Sequence, residues 1–67
     1  MLSARNQFSG QIKEVKLGAV AAEVVIAAGG LEIVAAITRT SAERMKLAAG
    51  DRVSAVIKAS DVMIAKD

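Results

Sequence analysis

The chain is 67 residues long with a formal net charge of +2, and it contains neither cysteine nor histidine. That length holds one domain, expected over residues 1–67, with a small core, and the composition excludes both a disulfide framework and the commonest ligands of structural zinc. Apolar residues make up 54% of the chain while Phe8 is the only aromatic, so alanine, valine and isoleucine must fill the core, and much apolar surface is expected to face other copies of the chain.

The first strand is expected over Phe8–Val15, where Gly10 interrupts the apolar residues and Ile12 and Val15 break strict alternation. Strand two is clearer: Val20, Ala22, Val24 and Ile26 line one face, and Ala21, Glu23, Val25 and Ala27 the other. Gly29-Gly30 then signals a tight turn, which makes strands two and three a hairpin. In strand three, Leu31, Ile33, Ala35 and Ile37 alternate with Glu32, Val34, Ala36 and Thr38. Thr40 with Glu43 has capping-box spacing and opens a short helix over Ser41–Leu47, with Met45 and Leu47 as its apolar contact. Ala48-Ala49-Gly50-Asp51 ends it. Val53, Ala55 and Ile57 alternate with Ser54, Val56 and Lys58 in strand four, and Val62–Ala65 closes the chain as a fifth strand. Five strands with one helix between the third and fourth is the element order of an all-β, OB-like barrel.

The side chains narrow the function classes. Catalysis is poorly supplied: there is no His, Cys or Tyr, and no pair of carboxylates at an obvious spacing, so Ser3, Ser41 and Ser60 have no visible general base. No basic stripe or aromatic platform is present for nucleic acid. Lys16, Glu23, Glu32 and Arg39 interrupt every apolar run well short of a membrane span, and the start lacks an apolar signal-peptide core. A cytoplasmic location is the default expectation.

Two tetrads at opposite ends of the chain stand out, Ser3-Ala4-Arg5-Asn6 and Lys58-Ala59-Ser60-Asp61. Each sets one cation among small hydrogen-bonding groups. A guanidinium fork, an ammonium, hydroxyls and accessible backbone N–H groups are what a tetrahedral oxyanion requires, so the tetrads read as two halves of one anion site. They read equally as solvated strand ends that carry a basic residue each. Asp61 is expected to point away from such a site or to pair with a cation.

Several segments, in order, carry a family resemblance. Ser3-Ala4-Arg5-Asn6-Gln7, then Gly18-Ala19-Val20 followed by Ala22-Glu23-Val24-Val25, then Ala36-Ile37-Thr38 leading to Ser41, and finally Ile57-Lys58-Ala59-Ser60-Asp61-Val62-Met63-Ile64 resemble the molbindins. These are the small Mop-type (TOBE/Mop domain) molybdate-binding proteins, whose domain recurs in molybdate-responsive regulators and transporter ATPases. The resemblance runs over essentially the whole chain and suggests the stand-alone form.

The resemblance implies an OB-like fold, a homohexamer and sites for molybdate or tungstate, in which the metal is bound as its oxyanion and no cofactor takes part. It maps Ser3, Ala4, Arg5, Thr38, Ser41, Lys58 and Ala59 onto oxyanion-contacting positions, with Ala4 and Ala59 donating backbone N–H, while Ser60 stands where the family varies and can add a hydroxyl. With Thr40 as the cap, Ser41 would be left to face the ligand. One class of the family's sites lies between subunits, and such sharing would explain why the two tetrads lie so far apart in sequence. A second class lies near the family's threefold axis, and Gly18-Ala19-Val20 is its candidate here, though the same residues read equally as an ordinary β-turn. Rigid donors set for the longer molybdate radius would leave sulfate short of hydrogen bonds, and an all-donor site cannot accept the proton that phosphate often carries. The leading reading is molybdate/tungstate binding for intracellular storage or homeostasis without chemistry on the ligand. The alternative is an oxyanion-sensing regulatory or assembly module that docks a partner protein.

Overall fold

The computed structural model describes residues 5–67. Four strands form one antiparallel sheet: β1 (Asn6–Leu17), β2 (Ala21–Ala28), β3 (Leu31–Thr38) and β4 (Arg52–Ile57), in the order β3-β2-β1-β4. A short helix α1 (Arg39–Arg44) joins β3 to β4, and a single 3₁₀ turn, Ala59–Asp61, follows β4. The fold class is the expected one, all-β with a curled antiparallel sheet and one short helix.

β1 organises the sheet because it serves two partners. Its first half, Asn6 to Gln11, pairs with β4, and its second half, Gln11 to Leu17, pairs with β2. The change of partner coincides with a β-bulge: Ile12 opposes Ile26 and Glu14 opposes Val25, so Lys13 is the extra residue. A bulge bends its strand and shifts the alternation by one residue. This explains why Ile12 and Val15, three apart, both turn inward, Ile12 being 2% exposed and Val15 packing against the same cluster.

The core is small and follows the alternation of β2. Ala22, Val24 and Ile26 are buried on one face, with Ile12 and Ala55 opposite, while Ile33, Ala35 and Ile37 of β3 pack partly buried against them. Val20, expected to begin that face, is 79% exposed because β2 starts only at Ala21. The β2–β3 hairpin turns on Gly29 and Gly30, whose φ values of 53° and 83° are the two positive angles that a tight primed turn demands.

The helix begins and ends earlier than its sequence suggests. Thr38, not Thr40, is the N-cap, its side-chain oxygen accepting from the Ser41 N–H at 3.0 Å. At the other end Lys46 adopts φ 54°; its N–H donates to Glu43 O and that of Leu47 to Ala42 O, both at 3.1 Å. That pair of bonds is a Schellman closure, which stops the helix at Arg44 with a lysine where glycine is usual. The helix therefore buries Ala42, at 3% exposure, and leaves Met45 57% exposed.

The segment expected as a fifth strand, Val62–Ala65, has no strand partner among the described residues, and Met63 and Ile64 are more than 90% exposed. Facing it in kind is an apolar slot between the outer edges of β3 and β4, lined by Ile33, Ala35, Ile37, Ala55 and Ile57 among others. The sheet thus stops one strand short of a closed barrel.

Gly10 is where β1 passes closest beneath the end of β2. A methyl group there would run into the Ala27 carbonyl oxygen and lie 3.0 Å from the Ala28 Cβ. Backbone cannot yield as a flexible side chain does, so Gly10→Ala is expected to cost about 1–3 kcal/mol, the range for overpacking. Urea unfolding that returned parental stability would show that the crossing is looser than this geometry.

Candidate functional site

The β1–β4 ladder brings the two tetrads together. Its last pair is Asn6 with Ile57, so Arg5 and Lys58 are the next residue on each strand, side by side at the same end of the sheet. Both are exposed, and neither side chain has an ion-pair partner among the described residues. Lys58 also caps the 3₁₀ turn. Within that turn Asp61 N–H donates to Lys58 O at 2.9 Å and Val62 N–H to Ala59 O at 3.4 Å, so among the described residues the N–H groups of Ala59 and Ser60 have no partner at its start. A cation, two free N–H groups and the exposed Ser60 hydroxyl therefore converge on one short segment. Asp61 lines the rim of the apolar slot and forms no ion pair among the described residues. Ser3 and Ala4, expected in the same site, lie outside the described residues.

Thr38 and Ser41 are joined to each other, at a different place. Thr38 Oγ1 donates to Ser41 Oγ at 2.9 Å while accepting from the Ser41 N–H. The expectation that Thr40 caps the helix and frees Ser41 is thus corrected: the β3 strand ends one residue before α1, so the capping geometry falls on Thr38. The pairing leaves the Ser41 hydroxyl hydrogen as the outward donor of a two-hydroxyl relay.

Register separates the two groups. Thr38 opposes Ala21, and Ala22 opposes Leu17, the last residue of β1. Arg5 and Lys58 sit instead beside Asn6, the first residue of β1. The single chain therefore holds the two groups near opposite ends of a 12-residue strand.

Gly18-Ala19-Val20 forms the β1–β2 connection. Gly18 N–H already donates to Ala21 O at 2.8 Å, which leaves the N–H groups of Ala19 and Val20 for any ligand. A Cβ on Gly18 would stand 2.9 Å from that same oxygen, so a tight backbone approach demands glycine here. The loop is held down by Arg39, a residue that no motif had singled out: its backbone N–H donates to Val20 O at 2.8 Å and its Nη1 to Gly18 O at 3.1 Å. The only signal in sequence was its position next to Thr38.

Chemically, the arrangement offers donors and positive charge and no acceptor-rich pocket. Such a donor set is chemically suited to a fully deprotonated oxyanion.

Comparison with known proteins agrees with this chemistry. Residues 2–64 match the family described as TOBE domain. Molybdenum-pterin-binding protein 3 of Clostridium pasteurianum is 45% identical over 64 residues, covering 94% of each chain. The molybdenum transport protein ModE of Herbaspirillum seropedicae is 46% identical over 97% of this chain, which spans only 24% of ModE. Among solved structures, a molybdate-binding protein from Sporomusa ovata superposes with a TM-score of 0.93 at 38% identity, covering 98% of both chains. The cytoplasmic molybdate-binding protein ModG, in a molybdate-bound form, superposes with a TM-score of 0.83 at 49% identity, over 87% of this chain and 42% of its own.

The corrected cap has a direct test. Thr38→Ala is expected to cost about 1 kcal/mol, Thr38→Ser to keep most of that, and Thr40→Ala to change little. Thermal unfolding in which the Thr40 variant was the weaker would return the cap to Thr40.

Proposed function

The chain belongs to the TOBE domain family, and on that premise we propose that it binds molybdate or tungstate as intact oxyanions in the cytoplasm, for storage or homeostasis, with no chemistry on the ligand. Arg5, Lys58, Ala59 and Ser60 form one half of the site, to which the family resemblance adds Ser3 and Ala4. Thr38 and Ser41 of another copy form the second half. The Gly18-Ala19-Val20 loops of several copies meet as a second class of site.

One observation carries this reading: the two donor groups lie near opposite ends of β1, so a shell of donors around one anion is completed only between copies of the chain. Within the first half, the guanidinium contributes a two-pronged contact, the ammonium a point charge, and the Ala59 N–H a fixed dipole. Assembly desolvates these groups, and charge-assisted hydrogen bonds gain strength as water leaves.

The surface supports assembly independently. A compact monomer of 6.9 kDa should expose about 4,000 Å², whereas this chain exposes 5462 Å². The excess, about 1,500 Å², resembles what a chain yields to two neighbours at roughly 800 Å² each. Val34, Val62, Met63 and Ile64 are among the exposed apolar side chains that would be covered. A homohexamer is the assembly proposed. Anion binding between subunits then stabilises that assembly by mass action.

The ModE match favours a second reading, since it is a domain covering a quarter of a longer transport protein. On that reading the same site senses the anion and docks a partner protein. A molybdate-dependent change in the shape of the assembly, read by small-angle scattering, would favour it over storage.

Isothermal titration with molybdate tests the site. Arg5→Ala and Lys58→Ala are each expected to weaken binding by about 2–4 kcal/mol, the cost of deleting one partner of a desolvated charged contact. Arg5→Lys also loses affinity, because an ammonium cannot reproduce the fork. Parental affinity in either alanine variant removes that residue from the site. Sedimentation tests the assembly: the parent is expected as a hexamer, and Met63→Asp combined with Ile64→Asp as smaller species. A well-folded parental monomer at micromolar concentration would contradict it.

A further inference from the structure

Arg39 contacts one candidate region, the Gly18-Ala19-Val20 loop, and adjoins the other, the Thr38–Ser41 pair, in sequence. Its backbone N–H donates to Val20 O at 2.8 Å and Nη1 to Gly18 O at 3.1 Å, so the residue grips both ends of the Gly18-Ala19-Val20 loop. Its Nε lies 3.4 Å from Glu43 Oε2, one helical turn on. In sequence it follows Thr38 directly and precedes Ser41 by two residues, inside the hydroxyl pair that closes over the start of α1.

Stability alone is a poor reason for this arrangement. The ion-pair side chains are 40% and 56% exposed, and exposed pairs of this kind contribute little. What the guanidinium does supply is geometry: a planar fork with several donors holds acceptors on two different elements at once, which a flexible ammonium cannot do. A shell of donors distinguishes anions of similar shape only if its members are held to a fraction of an ångström.

We propose that Arg39 is a positioning residue for oxyanion binding, locking the Thr38–Ser41 hydroxyl pair and the Gly18–Val20 loop into one frame. Its Nη1 and Nε face Gly18 and Glu43, so it acts on the ligand through these neighbours. The inference rests on the proposed molybdate function, and the parental protein is the control for that. In a calorimetric titration with sodium molybdate, on the fraction eluting as the parental assembly, Arg39→Gln and Arg39→Lys should both bind at least about tenfold more weakly, the usual cost of losing an orienting partner. The melting temperature without molybdate should stay within a few degrees of the parent's. Parental affinity in Arg39→Gln overturns the inference. So does full rescue by Arg39→Lys, which would mean that charge alone matters, and so does a loss of binding that merely tracks the unfolded fraction. A parent that takes up no molybdate overturns the proposed function itself, whereas a binding parent beside an equally binding Arg39→Gln overturns only the role of Arg39.

Discussion

β1 belongs to two pairings at once, and the placement of Arg5, Lys58, Thr38 and Ser41 follows from that. Its first half zips to β4 and its second half to β2, with the bulge at Lys13 bending the strand between them. The bend is pinned from the other side, where Ile12 exchanges backbone hydrogen bonds with the turn before β4: Ile12 N–H to Asp51 O at 2.9 Å and Gly50 N–H to Ile12 O at 2.8 Å. A straight β1 paired along its length with one neighbour would carry Lys58 away from Arg5. The bent one sets residues more than fifty positions apart in sequence side by side, and leaves Thr38 and Ser41 at its far end.

The same bend leaves the sheet open, which is why the proposed function treats this small domain as a subunit. With Ile12, Val24, Ile26 and Ala55 as the buried cluster, and no aromatic in it, the core has little to offer alone. The unpaired edges of β3 and β4, the slot between them and the bare Val62–Ile64 segment are unmet valences of one kind, main-chain hydrogen bonds and apolar area. On the proposed function, association satisfies both and places donors from different copies around a common point. On that reading, fold stability and oxyanion recognition are one problem, which a second copy solves.

What was legible in the sequence was what local chemistry decides. The Gly29-Gly30 turn and the alternation of Ala22, Val24 and Ile26 read straight into the β2–β3 hairpin. The irregular spacing of Ile12 and Val15 was visible too, but its meaning, a bulge, depends on the register with β2. The helix ends were misread for physical reasons. Thr38 and Thr40 are equally good caps by residue type, and the end of β3 decides between them; a Schellman closure with lysine at the left-handed position leaves no glycine to announce it. Val62–Ala65 has a strand's composition without a strand partner among the described residues. Pairing of the two tetrads rests on their chemistry, and their distance in sequence is expected to reflect sharing between subunits; the β1–β4 register instead sets Arg5 and Lys58 at the same end of the sheet within one chain. Arg39 was missed because a lone arginine next to a threonine carries no pattern, and its role exists only once Gly18 and Val20 are folded against it.

The central claim is that molybdate is held between copies of the chain rather than within one. Native mass spectrometry across a dilution series, with and without molybdate, tests it most directly because it reports oligomer size and bound anions on the same ion. The expected result is molybdate retained on hexamers, with none on monomers released by dilution. A monomer that carries molybdate, or a hexamer that carries none at saturating anion, would contradict it.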